Sequence, residues 1–251
     1  MADSEAPPQD SDTAWTAQRL AADPHRDPEK ARRVREMFSA IARSYDLNNR
    51  LHSFGLDQSW RRRTVRAVQR CLGRKDLQGV RVLDVACGTG DLSEAFARRG
   101  AMVTGVDFTP AMLDIARVKA GERGLERAPE YLHGDATRLD QPDASFDALS
   151  IAFGLRNVGD VAAAMGQFHR VLRPGGWAWI GGGFGTAELL REIEATKSDD
   201  PEWNRKRKER MTQNPPEHFR AMLERLGIDG VVEHQEAGMW IIIQKPSEAQ
   251  A

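Results

Sequence analysis

The feature that most constrains the fold is a ten-residue segment, residues 82–91, which reads VLDVACGTGD. Its apolar start is typical of a buried strand, and Gly88 and Gly90 precede a segment with helical spacing of apolar residues. A strand that enters a helix through glycines lets the backbone approach a ligand closely. The segment therefore predicts a ligand-binding turn inside an α/β fold.

From residue 80 onward, short apolar runs alternate with helical patterns, which is typical of a parallel sheet covered on both faces. The predicted strands cover residues 80–85, 102–106, 130–133, 146–152 and 177–180, and a closing strand pair covers residues 231–232 and 240–243. The predicted helices cover residues 91–99, 110–120, 161–172 and 215–226. These seven strands predict a Rossmann-like α/β sheet with helices on both of its faces.

The first eighty residues have a different character. Residues 1–28 are rich in Ala, Asp, Pro and Ser, and they hold too little apolar surface to compensate for ordering, which predicts a disordered leader. Helical spacing of apolar residues begins near Val34, and a second periodic stretch covers residues 60–72. We expect a helical segment over residues 29–78 that acts as a lid, and the main α/β domain over residues 79–246.

Composition excludes several classes of protein. The 36 Lys and Arg residues nearly balance the 37 Asp and Glu residues, whereas a dedicated nucleic-acid-binding protein usually carries a basic excess. Two cysteines cannot form a disulfide framework, and the His and carboxylate residues show no metal-ligand spacing. The acidic N-terminal sequence is unlike a signal peptide, and no apolar run approaches the roughly 18 residues of a spanning helix. We expect a cytoplasmic protein that binds neither nucleic acid nor metal.

The turn is compatible with two ligands, a dinucleotide or S-adenosylmethionine. Asp107 follows Gly88 by nineteen residues at the end of the second predicted strand, where a carboxylate accepts hydrogen bonds from both hydroxyls of a ribose. A dinucleotide site requires a third glycine, and Ser93 stands in its place. Asp84 and Asp91 flank the turn, where they disfavour a pyrophosphate and suit a ligand with a cationic amino-acid end. The pattern therefore favours S-adenosylmethionine.

The whole run resembles motif I of the class I S-adenosylmethionine-dependent methyltransferases. Three further segments typical of that family follow in the same order, namely GDA at residues 134–136, SFD at 145–147 and RVLRPGG at 170–176. The resemblance implies the seven-stranded class I fold, with S-adenosylmethionine as the cofactor. By the same resemblance, the expected cofactor-binding residues are Tyr45, Asp84, Gly88, Gly90, Asp107, Phe108, Asp135 and Ala136.

Two more segments resemble the ubiquinone/menaquinone biosynthesis C-methyltransferases, and with them the resemblance covers residues 34–176. They are MFSAIARSYD at residues 37–46 and IAFGLRNV at residues 151–158. This family methylates a ring carbon of a polyprenylated quinol. The resemblance implies that Arg156 and Asn157 are catalytic and position a water and the quinol oxygen. Arginine is not a base at neutral pH, so Arg156 is expected to orient that water and stabilise a phenolate.

Simpler structural roles compete with these assignments. Arg156 and Asn157 could form a salt bridge and a helix cap instead. Tyr45 and Asp46 could close the cofactor site or simply end a helix, and His52 is a weak candidate for a base.

The chain departs from the family pattern after Gly176, where it continues WAWIGGGFGT instead of a strand ending in Leu-Glu-Phe-Ser. The triple glycine at residues 181–183 predicts either a close approach to a flat acceptor ring or a loose turn. Trp177 and Trp179 alternate along one strand face, which is typical first of a core and second of a stacking surface. Two other functions stay open: methylation of a different small molecule selected by residues 177–244, and S-adenosylmethionine binding without turnover.

A quinol acceptor has consequences for partners. A polyprenylated quinol resides in the bilayer, so we expect transient contact with the inner face of the membrane through the lid or the basic run at residues 205–210. The plainer interpretation of that run is a solvated helix face. A homodimer also stays open.

Overall fold

The computed structural model describes residues 30–52, 56–125, 127–183, 200–202, 204–205, 215–235 and 238–247. The leader predicted over residues 1–28 and most of the basic run at 205–210 lie outside these ranges. Among the helices that are described, none is long and apolar enough to cross a membrane.

The described residues form six α-helices and seven strands. The helices are α1 (Lys30–His52), α2 (Leu56–Cys71), α3 (Asp91–Ala97), α4 (Pro110–Glu122), α5 (Val161–Val171) and α6 (Pro216–Leu226). The strands are β1 (Arg81–Val85), β2 (Met102–Asp107), β3 (Glu130–His133), β4 (Phe146–Ala152), β5 (Leu172–Gly183), β6 (Gly230–Gln235) and β7 (Gly238–Gln244). One turn of 3₁₀-helix, Leu155–Asn157, lies between β4 and α5.

The strands form one sheet in the order β3-β2-β1-β4-β5-β7-β6, which confirms the predicted seven-stranded α/β fold. Strands β1 to β5 are parallel, and β7 is antiparallel to both β5 and β6. The strand order reverses between β1 and β4. In open α/β sheets, ligands bind in the crevice at the carboxyl ends of the strands at such a reversal.

Both faces of the sheet are covered. Val82 and Leu83 are adjacent in β1, their side chains point to opposite faces, and neither is exposed to solvent. Val82 belongs to a core with Trp60 of α2 and Phe96 of α3. Leu83 belongs to the larger core that includes Phe168 of α5. This two-sided burial is why the parallel strands are continuous apolar runs in the sequence.

A buried carboxylate lies between β1, β4 and α3. Asp84 is 1% exposed, and its two carboxylate oxygens accept hydrogen bonds from the hydroxyls of Ser93, at 2.6 Å, and Ser150, at 2.8 Å. Burial raises the pKa of Asp84 from 3.8 to about 6, although the two serine hydrogen bonds and Arg61 oppose the shift. Because Asp84 is buried within strand β1, it does not line the cavity described below.

Strand β5 is longer than the sequence predicts. It begins at Leu172, directly after α5, and the Pro174-Gly175 dipeptide lies in an irregular stretch between the pairings of Leu172 and Trp177 with β4. The glycines at residues 181–183 belong to this strand and pair with Trp240, Met239 and Gly238 of β7, so the predicted loose turn is wrong. Non-local pairing with β7 explains the difference, because it imposes strand structure on a glycine run.

The missing side chain of Gly181 allows close approach of the β7 backbone and of the Trp240 ring. It has φ of +144°, and a β-carbon there would lie 2.3 Å from the main-chain oxygen of Met239 and 3.1 Å from Cε3 of Trp240. The flat ring that approaches this backbone is therefore the protein's own Trp240.

Substitution of Gly181 tests this packing. We expect Gly181→Ala to lower the free energy of unfolding by about 2–4 kcal/mol, because the added carbon meets rigid backbone at a left-handed φ. Gly166→Ala is the matched control, since Gly166 lies in α5 with nothing within 4 Å of an added carbon, and a gain of about 0.5–1 kcal/mol is expected there. Urea denaturation measures both, and an equal response of the two variants would contradict the prediction.

Asp84 makes the free energy of unfolding depend on pH. Its folded-state pKa of about 6 exceeds its ordinary value of 3.8, so the folded protein holds a proton that the unfolded chain releases, and stability is lost as pH rises through this interval. Asp84→Asn removes that titration. From about pH 5 to about pH 7.5, we expect the variant to gain roughly 1.5 kcal/mol relative to wild type. Urea denaturation at both pH values measures the gain, and a constant difference between the two proteins would contradict it.

Candidate active site

A cavity opens at the carboxyl ends of the parallel strands, at the reversal of strand order, and α1 lies across it. It encloses about 890 Å³ of space, including its open mouth. It brings together most of the residues predicted for the site. The predicted residues that line it are Tyr45, Gly88, Asp107, Phe108, Asp135, Ala136, Arg156 and Asn157.

The two turn glycines have different roles. Gly88, with φ of +56°, lines the cavity. Gly90, with φ of +83°, precedes α3 outside the lining, and a β-carbon there would lie 2.2 Å from the hydroxyl oxygen of Tyr131. Gly90 therefore permits close packing of the turn on β3, and its expected role in cofactor binding stays a prediction.

Asp107 is fixed at the edge of the cavity. Its Oδ2 accepts a hydrogen bond from the Gly88 N–H and its Oδ1 accepts one from the Thr109 N–H, both at 2.8 Å. Burial raises the pKa of Asp107, although these backbone N–H groups oppose the shift. Each carboxylate oxygen can accept more than one hydrogen bond, so Asp107 can also accept hydrogen bonds from a pair of ligand hydroxyls.

Asp84 and Asp91, which are expected to favour a cationic ligand, bind protein groups in this structure, and the expected ligand contact stays a prediction. Asp84 is absent from the cavity lining, because both of its oxygens are engaged beneath the turn. Asp91 accepts a hydrogen bond from Lys119 Nζ at 2.6 Å and pairs with Arg61 at 3.2 Å. Burial raises the pKa of Asp91, but these cations outweigh it, and the net pKa is lowered.

One of these cations, Lys119, also attaches α1 to the body of the protein. Lys119 of α4 contacts an Asp46 carboxylate oxygen at 2.5 Å, and the other Asp46 oxygen accepts a hydrogen bond from Thr89 at 2.5 Å. Asp46 thus links α1 to the glycine turn, which is more than the end of an ordinary helix. The sequence alone leaves two alternatives for Asp46, closure of the cofactor site or the end of a helix.

Helix α1 forms one wall of the cavity. Val34, Phe38 and Tyr45 of α1 line it, and the rings of Phe38 and Tyr45 meet edge to face with centroids 5.9 Å apart. The Arg35 guanidinium lies 4.2 Å from the ring centroid of Phe108, which lines the opposite side. The helical segment predicted as a lid therefore contacts residues of both the turn and the adjacent strand end.

The residues that follow β3 form the part of the cavity lining next to Asp107. The Gly134 N–H donates to the main-chain oxygen of Asp107 at 3.0 Å, which aligns the ends of β2 and β3. Asp135 is exposed, and its Oδ1 accepts hydrogen bonds from the main-chain N–H and the hydroxyl of Thr137, both at 2.8 Å. Ala136 lies beside it in the lining.

The opposite wall follows the end of β4. Phe153 has φ of +55°, is 44% exposed and donates its N–H to the Gly181 main-chain oxygen at 2.9 Å. Arg156, which is exposed, and Asn157, which is half-buried, follow in the 3₁₀ turn. The side-chain cap of α5 is Asp160, which accepts from the Ala163 N–H, so the helix-cap alternative for Asn157 does not hold.

Sequence reasoning missed Phe153 as a lining residue. It belongs to the segment that suggested Arg156 and Asn157, but nothing in the pattern marks its left-handed backbone. A non-glycine residue in that conformation costs about 1–3 kcal/mol and is found preferentially at functional sites. Ala86, with φ of +52°, is a second such residue on the same cavity.

Comparison with known proteins gives the family. The model of the ubiE/COQ5 methyltransferase family matches residues 26–180. A demethylmenaquinone methyltransferase of Thermus thermophilus is 52% identical over 142 residues, which are 56% of this chain and 61% of that protein. A ubiquinone/menaquinone biosynthesis C-methyltransferase of Geobacter sulfurreducens is 41% identical over 165 residues, which are 62% of this chain and 60% of that protein. The chain spans about three-fifths of the length of these curated relatives.

The fold has solved counterparts as well. A putative S-adenosyl-L-methionine-dependent methyltransferase of Methanococcus maripaludis superimposes with a TM-score of 0.70 at 25% identity, covering 84% of this chain and 94% of that one. This structural match covers 84% of the chain, whereas the sequence match to the Thermus thermophilus relative covers 56%. The family model matches residues 26–180, which are more than half of the chain, and the fold and the cavity are consistent with that match. The chain therefore belongs to the ubiE/COQ5 methyltransferase family.

Proposed function

We propose that the protein is an S-adenosylmethionine-dependent C-methyltransferase that acts on a lipophilic quinol of the demethylmenaquinol type, in menaquinone or ubiquinone biosynthesis. The observation that carries the proposal is that one cavity holds two walls of different chemistry. Asp107 and Gly88 lie on the first wall, and Arg156 and Asn157 lie on the second. The printed names of the relatives supply the acceptor class.

The first wall suits the proposed cofactor. Asp107 is oriented to receive ribose hydroxyls, and Gly88 allows close approach of the backbone. Phe108, Val106 and Met112 give this wall the apolar surface that a flat base requires. When bound, S-adenosylmethionine supplies an electrophilic methyl group on a sulfonium centre. Helix α1 and the rest of residues 29–78 serve as the lid of this site, and residues 79–246 form the methyltransferase domain.

The second wall suits the proposed acceptor. A quinol ring carbon becomes nucleophilic when a phenolic hydroxyl, with an ordinary pKa near 10, loses its proton. Arg156 remains a cation at neutral pH, so it stabilises the phenolate and directs the proton to a neighbouring water. Asn157 offers both a donor and an acceptor to hold that water or the quinol oxygen. Correct orientation of the ring carbon is the remaining contribution of this wall.

A different small-molecule acceptor is the second candidate. The family match ends at residue 180, and strands β6 and β7 lie beyond it. Strand β7 adjoins the second wall, which holds Arg156 and Asn157 and is called the acceptor wall below, through the pairing of Gly181 with Trp240. A change of acceptor would leave unchanged the first wall, which holds Asp107 and Gly88 and is called the cofactor wall below.

Arg156→Ala tests the proposed chemistry. In single-turnover transfer of a labelled methyl group to prenylated naphthoquinol and benzoquinol acceptors, we expect a loss of roughly 100-fold or more in rate, because a charge that stabilises the transition state is removed. Affinity for S-adenosylmethionine, measured by calorimetry, is expected to stay within about twofold, because the first wall is unchanged. Arg225→Ala, an exposed arginine at the end of α6, is the matched control and should keep full activity.

Two outcomes would separate the alternatives. Cofactor binding without transfer to either quinol by the wild-type protein would exclude the quinol and favour another acceptor or binding without turnover. Transfer that survives Arg156→Ala would remove Arg156 from the chemistry.

A membrane-resident quinol also requires transient contact with the bilayer surface, and we propose the basic run at residues 205–210 as one contact. Replacing Lys206 and Lys208 by Glu should abolish retention on anionic vesicles at low salt, because such contact is electrostatic and screened by salt. Co-sedimentation measures it. No retention of the wild-type protein at low salt would contradict the contact.

A further inference from the structure

Four aromatic rings form a continuous row that starts at the cavity. The ring of Phe153 lies 4.7 Å from that of Trp60, and Trp60 is stacked on Trp240 at 5.9 Å with an interplanar angle of 19°. Trp179 adjoins Trp240 at 5.6 Å. We call these residues, Phe153, Trp60, Trp240 and Trp179, the aromatic row.

Only the first member of the aromatic row lines the cavity. Phe153 is 44% exposed, whereas Trp60 is buried and Trp179 and Trp240 are half-buried. The left-handed backbone of Phe153 directs its ring to the cavity mouth, and its N–H is held by the Gly181 main-chain oxygen. A strained residue persists only where its surroundings over-determine it. Trp60 contacts the Phe153 ring directly, and Trp240 and Trp179 in turn pack behind Trp60.

The ring that completes this support comes from outside the family match. Trp240 lies in β7, beyond residue 180, opposite Gly181 in the strand pairing. The missing side chain of Gly181 lets the backbone of Met239 and Trp240 approach β5 closely, with Cε3 of the Trp240 ring 3.1 Å from where a β-carbon would lie. The stretch of chain that departs from the family pattern therefore reaches the acceptor wall through two contacts, from Trp240 to Trp60 and from Trp60 to Phe153.

We propose that Phe153 stacks on the ring system of the acceptor, and that Trp240 is a positioning residue which sets a preference for a two-ring over a one-ring quinol. This inference rests on the proposed function, which supplies the quinol. An exposed ring held at a fixed angle favours an offset stack, and the gain grows with the area of the partner. A fused second ring adds area to that stack, so loss of support should harm a naphthoquinol more than a benzoquinol.

The test compares Trp240→Leu with wild type for a prenylated naphthoquinol and a benzoquinol carrying the same prenyl chain. We expect KM for the naphthoquinol to rise about 3- to 10-fold, KM for the benzoquinol to rise less than about twofold, and kcat and S-adenosylmethionine affinity to hold. Trp240→Phe should restore most of the naphthoquinol KM, because a ring is again stacked on Trp60. Trp177→Leu is the matched control, since Trp177 is also half-buried on the same face of β5 but pairs with Gln244 at the other end of the strand.

A second readout does not depend on turnover. Binding of the oxidised prenylated naphthoquinone to the protein with S-adenosylhomocysteine, measured by calorimetry, should weaken by the same 3- to 10-fold in Trp240→Leu. If the wild-type protein binds this probe and Trp240→Leu weakens the binding as expected, but neither quinol is methylated, the proposed function fails and the part of the inference that concerns stacking on Phe153 holds.

The inference itself would be overturned by any of three results. The first is an equal change, or no change, in KM for the two acceptors in Trp240→Leu. The second is the same effect in Trp177→Leu, which would indicate general loss of packing. The third is the absence of saturable naphthoquinone binding to the wild-type protein together with an absence of transfer.

Discussion

The hydrogen bonds of Asp107 hold the ends of three neighbouring strands in one arrangement. Its carboxylate accepts from Gly88, which follows β1, and from Thr109, which precedes α4, and its main-chain oxygen accepts from Gly134, which follows β3. All three donors are backbone N–H groups, and a buried donor left without a partner costs about 1–3 kcal/mol. The shape of the glycine turn and the cofactor wall of the cavity therefore depend on this one buried carboxylate. Asp84 supports the turn from below without reaching the cavity.

The cavity is shared between two parts of the chain with different relationships to the family. The cofactor wall and the Arg156-Asn157 turn lie within the matched residues 26–180. The antiparallel strand β7 lies outside them, and it reaches the acceptor wall through Trp240. Among the described residues, the lining around Asp107 and Gly88 comes from the matched part of the chain, whereas Phe153 is connected to β7 through Trp60 and Trp240. Under the proposed function, such a division would allow the acceptor to change without loss of cofactor binding.

The predictions from sequence succeeded where structure is set by local pattern. Strands β3 and β4 have the predicted limits, because apolar runs covered on both faces end abruptly at turns. They were incomplete where distant segments meet. The glycines at 181–183 allowed either a close approach to a flat ring or a loose turn, and their pairing with β7 excludes the loose turn. Nothing in the local pattern indicated that Lys119 and Arg61 pair with Asp91.

The sequence by itself determined the fold class, the glycine turn, the position of Asp107 and the family, because these follow from periodicity and from short motifs with fixed spacing. Only the tertiary structure decided which of the predicted residues reach the cavity. In the structure, Gly90 packs against Tyr131, Asp84 is buried beneath the turn, and Phe153 is exposed at the cavity. The reason is physical: the direction of a side chain depends on packing between segments far apart in the chain, and no local spacing encodes it.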